Sequence, residues 1–213
     1  MTVVVSIVII VSFFYVVFSL SEKRKIESDI FIESYTFPLA VKEKVIKTYP
    51  HLSVNDLELV ITGLREYFHI CNATGRSAVS MPSQVVDVAW HEFILFTRIY
   101  EDFCTHAFRR FLHHTPAQTM QSPTVAQHGI KLAWRLACSR ESIKPESPTH
   151  LPLLFAMDAR LDICDGFKYS LDCLQPESHP YCAAHIGCGG GGGSCGGGGA
   201  GCGGGCGGCG GGG

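Results

Sequence analysis

The chain begins with a run that is apolar on every face, continues with apolar positions at helical spacing, and ends almost without apolar residues. Residues 2–20 (TVVVSIVIIVSFFYVVFSL) contain neither charge nor proline. As a helix rising 1.5 Å per residue they span roughly 28 Å, about the hydrocarbon thickness of a bilayer. Their β-branched residues do not argue against a helix, because lipid offers the backbone no other hydrogen-bond partner. The pattern therefore predicts an uncleaved transmembrane helix over 2–20 and a polar linker over 21–34. A cleaved signal peptide fits less well: no basic n-region precedes the run, and Val17-Phe18-Ser19-Leu20 lacks the small residues of a cleavage site.

Helical spacing then recurs in blocks. Leu39, Val41, Val45, Ile46 and Tyr49 predict a short amphipathic helix from Pro38 to Tyr49, stopped by Pro50. Ser53 with Asp56 three residues on reads as a capping box. The helix it opens carries Leu57, Val60, Ile61, Leu64, Tyr67 and Phe68 inward to about Cys71, and Asn72 to Gly75 stop it. Ser83 caps a longer helix, on which Val85, Val86, Ala89, Trp90, Phe93, Phe96, Tyr100 and Phe103 cover one wide arc. Val88, Leu95 and Ile99 extend that arc on one flank and Ile94 on the other, so this helix is expected at the centre of the fold. Asp87, His91, Arg98 and Asp102 share its narrow polar arc. Further helices are predicted from Ser122-Pro123 to about Ser139 and from Pro152 to about Cys164. Residues 165–186 read as extended coil.

The fold class is thus all-α: a transmembrane helix (2–20), a linker (21–34), one compact multi-helix domain (35–186) and a Gly/Cys-rich tail (187–213). The tail has no apolar surface to bury and a high ordering entropy, which predicts disorder. Its Cys202-x-x-x-Cys206-x-x-Cys209 spacing is that of radical iron–sulfur enzymes, but no strand-built barrel accompanies it. A thiol-rich tether for metal or anchoring, and a low-complexity tail with no ligand, are the other readings.

Charge sets orientation and excludes a partner. Formal net charge is −2, and Lys23-Arg24-Lys25 is the one basic run. That argues against nucleic acid, which needs a concentrated positive surface. Because the basic run directly follows the apolar one, the positive-inside rule places the amino terminus outside and the domain in the cytoplasm. Eleven cysteines, an odd number, do not suggest a secreted disulfide framework. In a reducing cytosol they are thiols or metal ligands.

Candidate chemistry is densest between Met81 and Pro116: Asp87, His91, Glu92, Cys104, His106, His113 and His114. His91-Glu92 opens like the zinc-protease motif, but Leu95 occupies the place of its second histidine. On one straight helix Cys104 stands about 20 Å along the axis from His91, so only a chain reversal before Cys104 lets them share an ion. Asp87 and His91, at i and i+4, share one face. His114, or His113, follows after enough chain to turn back. A carboxylate with two imidazoles suits a divalent ion such as zinc, with open positions for water or substrate. A structural pair, in which Asp87 holds a tautomer of His91, is the competing reading.

Val86-Asp87-x-x-Trp90-His91-x-Phe93-Ile94-Leu95, Tyr100-x-x-Phe103-Cys104 and Phe111-Leu112-His113-His114-x-Pro116 resemble the repeated block of the glycine-rich domain-containing proteins of plants and of uncharacterised bacterial membrane proteins. Leu151-Pro152-x-Leu154-Phe155-x-x-Asp158, with Gly166 and Tyr169, is similar to a later segment of the bacterial members. The resemblance implies an α-helical domain with Asp87, His91, Cys104 and His114 at marked positions, and no established activity. Two function classes follow: a membrane-anchored interaction or structural module with a protein partner, or a metal-binding protein or metal-dependent enzyme centred on Asp87, His91 and His114.

Overall fold

A computed structural model describes residues 2–75, 77–114, 123–171, 181–182 and 186. The tail from residue 187, and the Ser122 cap, lie outside the described residues. The helices are α1 (Thr2–Ser34), α2 (Leu39–Thr48), α3 (Val54–Thr74), α4 (Gln84–Ile94), α5 (Thr97–Phe108), α6 (Pro123–Arg140) and α7 (Leu153–Arg160). Two-residue strands β1 (Tyr169–Ser170) and β2 (Tyr181–Cys182) pair in parallel. The coil expected beyond residue 165 therefore contains one short bridge.

Among the described residues one helix, α1, is long and apolar enough to cross a membrane, with a mean hydropathy of 2.2 in its richest window. It does not stop at Leu20. Residues 21–34, expected as a linker, continue the same helix and enter the domain, where Ser28 and Ile32 are buried. The Arg65 guanidinium donates to the carbonyls of Ile32 (3.2 Å) and Tyr35 (2.9 Å), satisfying backbone acceptors that a helix end leaves open. His69 of α3, itself buried, places Nδ1 2.9 Å from Asp29 and Nε2 3.1 Å from Glu33. The apolar span thus continues into the domain as one helix.

The centre of the fold is α3, not the helix after Ser83. It packs against each of the other six described helices. Its capping box forms as the spacing predicts: Ser53 Oγ accepts from the Asp56 amide, and the Asp56 carboxylate accepts from the Ser53 amide at 2.9 Å. Gly63 lets α4 and α7 approach closely, since a Cβ there would stand 2.9 Å from Val86 and 2.6 Å from Met157.

The single long helix expected from Ser83 to beyond Phe103 is broken at Leu95 and Phe96 into α4 and α5. The break has a packing cause. Ten residues of straight helix would separate Phe93 from Phe103 by about 15 Å, whereas their rings lie 5.3 Å apart. Folding α5 back lets Phe93, Phe103, Tyr35, Phe37 and Phe68 close one aromatic cluster. Leu95 and Ile99, expected on the buried flank, lie beside this turn and are exposed, as is Leu39 on α2. Helix α7 ends at Arg160, earlier than the spacing suggests.

Candidate functional site

The position of α4 is set at its first turn. Ser83 Oγ accepts from the Val86 amide, as an N-cap should, and donates at 2.7 Å to Asp158 of α7. The Asp158 carboxylate also accepts from the amides of Gln84 (2.7 Å), Val85 (3.2 Å) and Phe167 (2.8 Å). A buried anion at a helix N-terminus gains from these charge-assisted bonds and from the helix dipole. Gly166 makes room for it: a Cβ there would stand 2.5 Å from that of Asp158.

One turn further along α4, Asp87 and His91 meet. His91 Nδ1 lies 2.9 Å from the Asp87 carbonyl and 3.3 Å from its carboxylate. A carbonyl only accepts, so a neutral His91 carries its proton on Nδ1 and leaves the Nε2 lone pair free. His114 returns from beyond α5 with Nε2 3.0 Å from Asp87 Oδ1. The two imidazole rings lie 4.0 Å apart, and one ligand atom from each of Asp87, His91 and His114 falls within 4.8 Å of the others. Side-chain exposure is graded: 48% for His91, 22% for Asp87 and 11% for His114. The cluster is walled on one side and open on the other.

A buried relay explains the return of His114. Trp90 Nε1 donates to Tyr100 Oη at 3.1 Å, and Tyr100 Oη donates to the Leu112 carbonyl at 2.6 Å. The Trp90 ring then meets His114 edge to face at 4.5 Å. Burial raises the Tyr100 phenol well above its ordinary value, so it remains a donor.

The other candidate residues stand apart. Cys104 is buried against Tyr100 and the backbone of Leu112, and burial raises its thiol pKa. The turn at Leu95 does not bring it to His91. His113 is exposed and packs on Phe111 at 4.8 Å. His106 repeats the i, i+4 geometry with Asp102 on α5, at 2.8 Å from its carbonyl, but among the described residues no third ligand joins them. Glu92 is outside the cluster as well. Sequence reasoning overlooked the Asp29–His69–Glu33 bridge, since Asp29 and Glu33 fell in the expected linker, where their i, i+4 spacing carried no weight.

A family profile described as UCP032817-like matches residues 27–188. The chain belongs to the UCP032817-like family. The matched stretch begins after the apolar run and takes in α2 through α7, including Asp87, His91, His114 and Asp158. The family is uncharacterised, so membership brings no activity to this UCP032817-like protein. No curated protein matches the chain, and no solved structure does.

Proposed function

We propose that this UCP032817-like protein is a membrane-anchored helical module that holds a divalent transition metal between Asp87, His91 and His114. The observation that carries this reading is the convergence of one carboxylate and two imidazoles from segments 23 residues apart, with one side of the cluster open. Zinc bonds of 2.0–2.2 Å in tetrahedral arrangement put neighbouring ligand atoms about 3.3 Å apart, close to the 3.0 Å between His114 Nε2 and Asp87 Oδ1. An ion would replace the proton now shared there. Three protein ligands leave further positions to water or substrate, which suits zinc, manganese or iron.

In this reading α1 spans the bilayer, and the basic run Lys23-Arg24-Lys25 favours a cytoplasmic domain. The resemblance to bacterial glycine-rich domain-containing membrane proteins supports the anchor. An alkaline phosphatase fusion at the carboxyl terminus should be inactive, and activity there would reverse the orientation.

Elemental analysis of the full-length protein, purified without chelator or affinity tag, tests the site. Wild type is expected to retain close to one ion per chain, and His91→Ala and His114→Ala to lose it while keeping the helical circular dichroism. Binding should weaken as the pH falls, because ligation needs neutral imidazole. A metal-free wild type that cannot be loaded with zinc, manganese or iron removes the proposal. The interaction-module reading then stands, favoured by the exposure of Leu95 (71%), Ile99 (45%) and Phe111 (41%).

A further inference from the structure

One end of the helical domain is fixed at the height where α1 leaves its apolar run. Asn72 Nδ2 donates to the Lys25 carbonyl at 3.3 Å, and Arg109 reaches Glu27 at 3.1 Å. Between these contacts opens a cleft of about 250 Å³, lined by Cys71, Asn72, Gly75, Phe108, Arg109 and Arg110. Because α1 is one continuous helix, height can be read along it. Lys25 and Glu27 lie about 8 and 10 Å beyond Leu20. The headgroup layer outside the hydrocarbon is about 5–8 Å deep on each side. On that scale the cleft stands at the outer edge of the headgroup layer, within the reach of long arginine stems from the lipid phosphates.

Its charge fits that position. Lys23, Arg24 and Lys25 are exposed on α1 just before the contact, and Arg109 is exposed at the mouth of the cleft. Arg109 takes the left-handed conformation (φ 55°) that ends α5, and Arg110 follows it directly. Arg110 donates one bond to the Gly75 carbonyl, and a guanidinium has further donors in its fork. Two carboxylates oppose these cations: Glu27, on Arg109, and Glu22, exposed on α1. Asp29, the next acid along α1, is engaged by His69 and Asn72. The volume lies just under the ~300 Å³ at which pockets for whole small molecules begin, which suits a headgroup rather than a complete lipid.

We propose that this cleft binds the phosphate of an anionic phospholipid headgroup through Arg109 and Arg110, locking the domain against the membrane from which α1 emerges. Guanidinium pairs suit phosphate because their planar forks match its oxygens. The inference rests on the reading of α1 as a membrane anchor, so the test has two arms.

The first arm is carbonate extraction of membranes containing the full chain. Release of the protein into the supernatant would remove the anchor and the headgroup site together, whereas retention leaves the second arm to decide. In that arm the detergent-solubilised full-length protein is offered equal phosphatidylglycerol and phosphatidylcholine, and retained lipid is counted by native mass spectrometry. Wild type should prefer phosphatidylglycerol, with about fivefold of the preference lost for each guanidinium removed. Arg109→Gln, at an exposed position, should lose its share even if Arg109→Gln/Arg110→Gln fails to fold, and Arg109→Lys should recover part of it. Inorganic phosphate at millimolar concentration should not displace the lipid. Equal retention of the two lipids, an Arg109→Gln variant that behaves like wild type, displacement by phosphate, or a preference abolished only by neutralising Lys23, Arg24 and Lys25 would each overturn the cleft as the site.

Discussion

The phenol of Tyr100 donates to the carbonyl of Leu112 at 2.6 Å while accepting from the Trp90 indole. Through this one oxygen, a residue of α5 ties the segment that carries His114 to the helix that carries Asp87 and His91. The cluster depends on that tie, because nothing in the local preferences of residues 109–114 directs His114 back along α4.

Tyr100→Phe should therefore affect both stability and site. It keeps the ring packed on Phe93 and Phe111 but strands a buried indole N–H and a carbonyl. An unpaired buried group costs about 1–3 kcal/mol. Urea denaturation should show a loss of that size, and zinc affinity should fall with the helical signal intact. Unchanged affinity would show that His114 is held without the relay.

Asp158 anchors the other end of α4. Asp158→Asn leaves one acceptor oxygen where the carboxylate serves the Ser83 hydroxyl and three amides. Hydrogen bonds to charged groups contribute about 1.5–3 kcal/mol each, so the loss should reach at least about 3 kcal/mol by denaturant melting. Ser83→Ala, which keeps the amide contacts, should cost less. Equal effects would mean that the hydroxyl, not the charge, holds the helix start.

The buried thiols give a pH dependence with a definite sign. Burial lifts Cys71 to about 12 and Cys138 to about 11, from an ordinary 9.0. Above pH 9 the unfolded chain sheds protons that the folded chain keeps. Their contribution to stability is thus complete below about pH 9 and is lost as the pH climbs through 11 and 12. At pH 8, peptide-resolved alkylation of the folded protein should modify exposed Cys164 quickly and leave Cys71, Cys104 and Cys138 protected until denaturant is added. Labelling of Cys71 as fast as Cys164 would contradict its burial.

His69 couples the emerging α1 to α3. His69→Phe retains a ring of similar shape but removes both nitrogens facing Asp29 and Glu33. Since these carboxylates are partly exposed, the cost should be modest, about 1 kcal/mol. The sharper readout is hydrogen exchange: amides of residues 28–34 should exchange faster while those of α6 do not. Uniform change across the domain would instead indicate a general loss of packing.

What the sequence determined by itself was everything written in a local period. The apolar run, the capping box at Ser53, the Ser83 cap, the stop at Gly75 and the i, i+4 relation of Asp87 and His91 need only a helix and its neighbouring residues. Tertiary structure decided the rest. Helical periodicity gives the face a residue occupies but not what will cover it, so it could neither break α4 from α5 nor make α3 the hub. The break exists because Phe103 and Tyr100 bury better against Phe93 and Trp90 than along a straight axis. For the same reason residues 21–34 became helix rather than link: Ile32 and Ser28 find buried surface that polar neighbours in sequence cannot reveal. His114 was legible as a candidate by its type. Its place beside Asp87 was not, because that depends on a buried hydroxyl bridging two segments whose spacing in the chain carries no period at all.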